Sequence, residues 1–436
     1  FTAQYTSLPK TFSVTFVDFG GSPVLSVQTV NYGSYALAPS PLPDSRGDDY
    51  WCSGWDQTFY SVTSNMTITA VYSYIFTFSE SGNELTVIGY HDKGTLTSIT
   101  IPSAYDDKDV VGIAANIFAS NVPLTSITVP NSITFISDSA FAKAYLLQSI
   151  TLPFVGTTAT ATEPLGHLFG SIDYSPGNTY LANPNHIPNS LNSITITNTA
   201  QIPQGAFQRL QVPNIAFTSN VTSIGNSAFA YNNALTTLTI SSNLSTLGTS
   251  VFAYCANLTT VTFPSSVTSV PANTFSNCPN LLTFDFTNIT SIGQQAFYHD
   301  TSLNNIVLGA NLTSIGMSAF ADCSGLTSIS IPATLTSLGL YAFQDCVNLA
   351  YVIVSDGATS SIMNDAFKNC TSLANIYIPN TVNTISVSAF SGCPNVTIYT
   401  SNSAKPTTWL PGSILPANIT LVLNSSLLEF MSILGL

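Results

Sequence analysis

The chain has 436 residues, 45% of them hydrophobic and only 7% charged, with 8 Lys plus Arg against 21 Asp plus Glu. The apolar fraction supports a core. The net charge of -13 leaves no basic face for nucleic-acid phosphates or an anionic membrane, and no run of 18 apolar residues spans a bilayer. Soluble chains usually carry about 25% charged residues, so solubility here falls to Ser, Thr, Asn and Gln, or to attached sugar. The chain opens at Phe1 with no Met, charged n-region or apolar h-region. It therefore reads as a mature or trimmed N-terminus, and whether a secretion signal preceded it is not visible in the residues.

Residues 10–72 alternate apolar and polar positions, which predicts strands, and Gly20-Gly21 predicts a turn between two of them. Val14, Phe16 and Asp18 come first, then Val30, Tyr32, Gly33 and Pro39. Gly54 and Trp55 follow, and Ile68, Ala70 and Tyr72 close the segment. This order resembles the Listeria–Bacteroides repeat module of the internalin B repeat. The resemblance implies a small β-grasp-like domain over 1–72, of a kind attached to bacterial surface proteins. The stretch Asp48-Asp49-Tyr50-Trp51-Cys52 departs from the Gly-Tyr-x-Phe usual there. Residues 73–117 read as an opening cap and first repeat, because terminal repeats of a solenoid are atypical.

A period then governs residues 118–400. A small residue followed by Phe recurs at Phe207, Phe229, Phe252, Phe275, Phe297, Phe320, Phe343, Phe367 and Phe390, and earlier at Phe118 and Phe141. The spacing is 22 to 24 residues, and a fixed period in this range predicts stacked repeats. In one unit, Leu235, Leu238 and Ile240 alternate as an inward-facing strand, and Leu244 and Leu247 make a second inward pair. Gly248 is expected to permit a tight bend. Phe252 and Cys255 are three apart, so a short helical turn would point both inward. The next unit repeats this with Leu258, Val261, Phe263, Val267, Val270, Phe275 and Cys278. The predicted fold is mainly β: a solenoid of about 23-residue repeats, each with short strands and a short helical turn.

These units are similar to the BspA-type (Treponema pallidum-type) leucine-rich repeat. That consensus is Leu-x-x-Ile-x-Ile-Pro, then Val-x-x-Ile-Gly, then Ala-Phe-x-x-Cys; Ile329 to Pro332, Phe320 and Cys323 carry it closely. The resemblance covers roughly residues 85–400. It implies an extracellular, non-enzymatic protein, secreted or on a cell surface, acting in adhesion or protein binding.

Two stretches lose the period. Residues 153–206 hold an expanded repeat rich in Pro, Gly and Asn; such a loop is either a tolerated insertion or a binding site. Residues 401–436 end in an apolar run, Leu427 to Leu436, which either caps the last repeat or forms an assembly tail for a neighbouring copy.

Candidate chemistry is sparse. Six cysteines lie three residues after the marker: Cys255, Cys278, Cys323, Cys346, Cys370 and Cys393, with Asn232, Asp300 and Ala144 in the slot elsewhere. Rungs stack about 4.8 Å apart, and a disulfide needs Cα atoms roughly 4.4 to 6.8 Å apart, so adjacent pairing is geometrically open. No CxxC pair or His partner gives zinc spacing, and the family pattern implies buried thiols. His91, His167, His186 and His299 form no HxxxH or HExxH motif. No P-loop is present, and the acidic runs Asp44–Asp49 and Asp106–Asp109 lack EF-hand spacing. Neither a cofactor, a metal nor a catalytic group is expected.

Ten sequons begin at Asn65, Asn220, Asn243, Asn257, Asn288, Asn311, Asn369, Asn395, Asn418 and Asn424. Asn220, Asn243, Asn288 and Asn311 each lie nine residues before a marker Phe and so share one edge. They either carry sugar or replace Ser in a polar turn. The expected partner is a protein or glycan on another surface. The alternative is a structural subunit that joins copies of itself head-to-tail into a fibre, since heterologous contacts do not close.

Overall fold

The computed structural model describes residues 10–44, 46–118, 122–161, 163–170, 187–218, 221–240, 243–304, 306–358, 361–410 and 417–435. Strands β1 (Thr11–Val17) and β2 (Val24–Asn31) form an antiparallel hairpin, and β3 (Tyr50–Trp55) and β4 (Met66–Tyr74) form another. β1 and β4 pair in parallel, so the sheet order is β2-β1-β4-β3. Inward residues alternate as the sequence predicts: Val14, Phe16 and Ile68 are fully buried, and the Phe16 ring meets Trp55 and Phe59 edge-on. Asp18 is buried at the turn. It accepts from the Phe19 N–H and, at 2.8 Å, from the Tyr72 hydroxyl, which ties the hairpin to β4. A third hairpin, β5 (Phe76–Ser81) and β6 (Glu84–Tyr90), leads into the solenoid, where β6 pairs in parallel with Lys108–Ile113.

Most rungs of the solenoid have a longer strand, a two-residue strand and a turn that carries the marker Phe, although residues 281–286 and 306–309 form no regular strand. The longer strands pair in parallel with no offset, so like residues stack: Ile99, Ile127, Ile150, Ile194 and Ile215 form one inward file. The short strands pair likewise, and Val270, Ile292, Ile315 and Leu338 make another inward file. Hydroxyls fill the outward positions and bond from rung to rung. Thr313 Oγ1 donates to the Thr290 carbonyl at 2.8 Å, and Thr336 Oγ1 to that of Thr313 at 3.1 Å. This consumes polar groups within the chain and explains how a surface with so few charges is built.

The third side is the Phe turn. Consecutive rings from Phe207 to Phe390 stack with centroids 5.2 to 5.8 Å apart and planes within 17°. The Phe N–H donates along the axis to the residue before the next marker, as from Phe320 to Ala342 at 2.8 Å. The turn is not helical as expected. The residue two after each Phe takes a left-handed conformation, as Tyr254 does at φ 62, and the Cys255 N–H then closes on the Phe252 carbonyl at 3.2 Å. Gly248 also has another reason than a bend. A Cβ there would lie 2.6 Å from the Asn226 backbone nitrogen, so glycine permits one rung to sit close on the last.

Both irregular stretches are partly regular. Phe169 follows Phe141 in the ring file at 6.1 Å, and the Phe141 N–H donates to the Leu168 carbonyl. The expanded repeat therefore keeps its marker, which sits late and after Leu rather than a small residue. At the far end, Trp409 and Leu410 are buried against the last rungs, with the Trp409 indole N–H on the Val382 carbonyl at 2.9 Å. The apolar tail forms helix α1 (Leu427–Leu434), opened by a Ser426–Glu429 capping box. It does not cover the end of the stack. Phe430 instead lies against Tyr377 and Tyr399 on the outward side of the longer strands.

Replacing one ring leaves both neighbours facing a void. Phe297→Ala should cost about 3–5 kcal/mol, read as a lower urea midpoint. A change below about 1 kcal/mol would show that the ring file is not the core.

Candidate binding surfaces

The cysteine slot is the most regular polar feature inside the solenoid. Each thiol points inward and donates to the carbonyl of the marker Phe one rung back, as Cys346 Sγ does to Phe320 and Cys393 Sγ to Phe367, both at 3.1 Å. All seven cysteines, including Cys52, are free and buried. Burial pushes the Cys255 thiol up to about 12 and that of Cys393 to about 11, so none of these sulfurs is a ready nucleophile or metal ligand.

Asn232 and Asp300 fill the same slot and are fully buried. Asp300 Oδ1 accepts the Cys278 N–H at 2.8 Å, while Oδ2 has no partner. Burial pushes its carboxyl well above the ordinary range, against the smaller lowering by that N–H. Burial therefore favours the protonated form of Asp300 more than solvent would.

The other candidates disperse. His91 stacks on Trp51 at 3.6 Å, joining the N-terminal sheet to the solenoid beside the Lys93–Asp44 ion pair. His167 Nδ1 lies 3.4 Å from Asp138, His299 Nδ1 contacts Asp322, and His186 lies outside the described residues. Asp106 and Asp107 sit in a left-handed turn. Among the described residues, no three His, Cys, Asp or Glu side chains converge on a metal position, and no helix is long and apolar enough to cross a membrane.

The sequons sort by what their amides do. Asn257 Nδ2 donates to the Asn233 carbonyl, Asn369 Nδ2 to Asp345 and Asn418 Nδ2 to the Cys393 carbonyl, each at 2.8 Å. Asn65, Asn243, Asn288, Asn311, Asn395 and Asn424 are exposed, and Asn220 lies outside the described residues. In rungs without Asn, the same position holds Ser132 or Thr334, whose hydroxyl donates to a carbonyl of the preceding rung at 2.9 Å.

One cleft adjoins the expanded repeat. It holds about 410 Å³ between Ala159–Ala161 on one wall and Gln201, Gln204, Ser223, Asn226 and Thr246 on the other. Carboxamides and hydroxyls line it beside Ile202, Pro203 and Ile224, and among the described residues the lining holds no charged side chain, thiol or imidazole. Asn226 is engaged by the Thr249 N–H.

The model of the BspA type leucine rich repeat region matches six copies in this chain, over residues 56–160, 186–304 and 290–407. The chain belongs to this family. No curated protein matches it. Among solved structures, a leucine-rich repeat protein from Bacteroides ovatus is similar at 20% identity, covering 80% of this chain and 88% of that one, with a TM-score of 0.42. The pneumococcal vaccine antigen PcpA is similar at 17% identity, over 80% of this chain and 97% of its own, with a TM-score of 0.39. A leucine rich cell surface protein of Faecalibacterium prausnitzii is similar at 21%, over 78% and 97%, with a TM-score of 0.34.

This BspA-type chain is thus a repeat scaffold, and its distinctive parts are where it departs from the repeat. The sequence pointed to the cysteine slot, three residues after the marker. It passed over the position two after the marker, where Arg209, Tyr231 and Tyr254 stack on the surface. The period alone would have aligned them.

The raised pKa of the carboxyl in the slot makes stability depend on pH. The folded pKa of Asp300 lies above the unfolded value, so the folded state holds the proton longer and stability falls as pH rises from the ordinary carboxyl range towards the folded value. Asp300→Asn keeps the acceptor and removes the titration. It should melt higher than the native protein at pH 8, with the gap closing towards pH 4. A gap independent of pH would refute a buried, titrating Asp300.

Proposed function

We propose that this protein is an extracellular, non-enzymatic scaffold that adheres by binding another protein. The cleft beside the expanded repeat carries the reading. Its wall offers carboxamides suited to hydrogen-bond a neutral polar chain, and among the described residues its lining holds neither a nucleophile with a base nor an acid pair. The N-terminal strand order supports a separate β-grasp-like module over 1–72, which would present the solenoid away from its point of attachment.

The sequon edge supports an extracellular place. Asn243, Asn288 and Asn311 are exposed in one file, and each rung without Asn shows that the backbone there does not need the amide. We read these three as carriers of N-linked sugar. Intact mass of material from the native host should exceed the sequence mass by whole glycans. An unmodified mass ends this part of the reading.

For the binding function, Gln201 and Gln204 are the test positions, both exposed on the cleft wall. The purified protein should bind at least one of immobilised fibronectin, collagen or laminin. The double change to Ala should weaken that binding about tenfold without moving the melting temperature. Binding to none of these matrix proteins, or binding unaffected by the two changes, would count against adhesion through this cleft.

A further inference from the structure

The position two after the marker forms a surface file of its own. In rung order it reads Arg209, Tyr231, Tyr254, Asn277, His299, Asp322, Asp345 and Asn369. All eight residues are left-handed, with φ between 58 and 63. Each N–H donates to the next rung at 2.7 to 2.9 Å, so the side chains leave the stack at even intervals. The residue just before several of them is small and buried (Ala230, Ala253, Ser276 and Ala321), while the file itself is half-buried, with Tyr254 exposed. Asn, Asp and His adopt this backbone more readily than most residues, whereas Arg and Tyr do so under strain. The core does not require them there.

Charge is segregated along the file. At one end the Arg209 guanidinium lies 4.8 Å over the Tyr231 ring, which stacks on Tyr254 at 4.6 Å and 2°. Arg209 forms no ion pair with a described residue. At the other end Asp345 is held by the Gln344 amide at 2.7 Å and the Asn369 amide at 2.8 Å, and Asp322 contacts His299. Both carboxylates keep further lone pairs directed outward.

We propose that this file is a two-fold interface between two copies of the chain, packed antiparallel about Asn277. Arg209 and Asp345 are each three rungs from Asn277, as Tyr231 and Asp322 are each two and Tyr254 and His299 each one. Reversing the file on itself therefore places Arg209 against Asp345, the Tyr231 hydroxyl against Asp322, and Tyr254 against His299. Every contact occurs twice, as an isologous interface requires. The guanidinium, flat on Tyr231, presents its N–H edge to a carboxylate already fixed in place. The six intervals of the ring file between Phe207 and Phe343, at 5.2 to 5.4 Å each, set the strip at about 32 Å long. At ~15 Å wide, it buries on the order of 1,000 Å² in total, the lower bound for a specific contact. The dimer is accordingly weak and sensitive to salt.

Sedimentation equilibrium of the full chain from about 1 µM to 1 mM tests this. The native protein should reach twice the chain mass and stop there. Arg209→Asp alone, or Asp345→Arg alone, should weaken association roughly 10- to 100-fold, because each change acts at two symmetric contacts. Mixing the two variants should restore a dimer containing one of each, and combining both changes in one chain should restore a homodimer. Restoration cannot come from a misfolded chain. A monomer throughout, growth beyond two copies, or single variants that dimerise as the native protein does would each overturn the proposal. Growth beyond two would instead support head-to-tail assembly.

Discussion

The stacking of one rung on the next, set by the Phe turn, is the constraint on which the rest of the structure depends. A ring with its face on the next ring must keep nearly the same orientation in every unit, and the observed planes stay within 17° from Phe207 to Phe390. The Phe N–H bonds along the axis, so the turn behaves as a third parallel ladder beside the two sheets. The residue before the ring is enclosed between rungs. Ala228, Ala296, Ala319, Ala342, Ala366 and Ala389 are wholly buried, and Val251 and Thr274 fill the same place with the ring spacing still 5.3 to 5.4 Å. The same closeness explains Gly225, Gly248, Gly293, Gly316 and Gly339, where a Cβ would meet the backbone of the preceding rung at 2.5 to 2.6 Å.

The cysteine slot follows from this spacing. The marker carbonyl points inward and needs a donor, but the space is small and dry. A thiol gives a weak donor on an almost apolar side chain, which suits both demands. Asn232 and Asp300 bring stronger polar groups to a site with too few partners, and the atoms left over are among the unpaired buried ones. A buried polar atom without a partner costs about 1–3 kcal/mol. That outlay is tolerable in a long array because each rung contacts only its neighbours and the loss stays local.

Most of the solenoid was legible because one pattern is repeated many times. Leu258, Val261, Val267, Val270, Phe275 and Cys278 all face inward as their periodicity predicts. What failed was whatever depended on backbone conformation without a residue signature. Tyr231, Tyr254 and Arg209 are left-handed although nothing in their chemistry favours it; the neighbouring rungs impose it. Gly248 looked like a bend because glycine usually signals freedom, whereas here it signals closeness. Phe169 was hidden by its 28-residue distance from Phe141 and its preceding Leu, and Trp409 by lying beyond the last repeat. The cleft could not be read at all. Ala159–Ala161 and Thr246 are far apart in sequence and meet only because the expanded repeat folds over the short strands.

This architecture separates what holds the chain together from what varies. At the position two after the marker, the backbone is set by an N–H bond to the next rung and by the turn that closes on the slot. Neither involves the side chain. The core therefore places almost no restriction on that side chain, and the position ranges from Arg through Tyr, Asn and His to Asp and Gly at Gly392. A position unconstrained by folding would be expected to drift towards the residues that suit a left-handed backbone best, which are Gly, Asn and Asp. Only part of the file has that composition. Arg209, Tyr231 and Tyr254 form a contiguous stretch, and all three carry strain that the solenoid does not need. Strain retained without a structural return points to a contact outside the fold, and the ordering of charge along the same file specifies what that contact must complement.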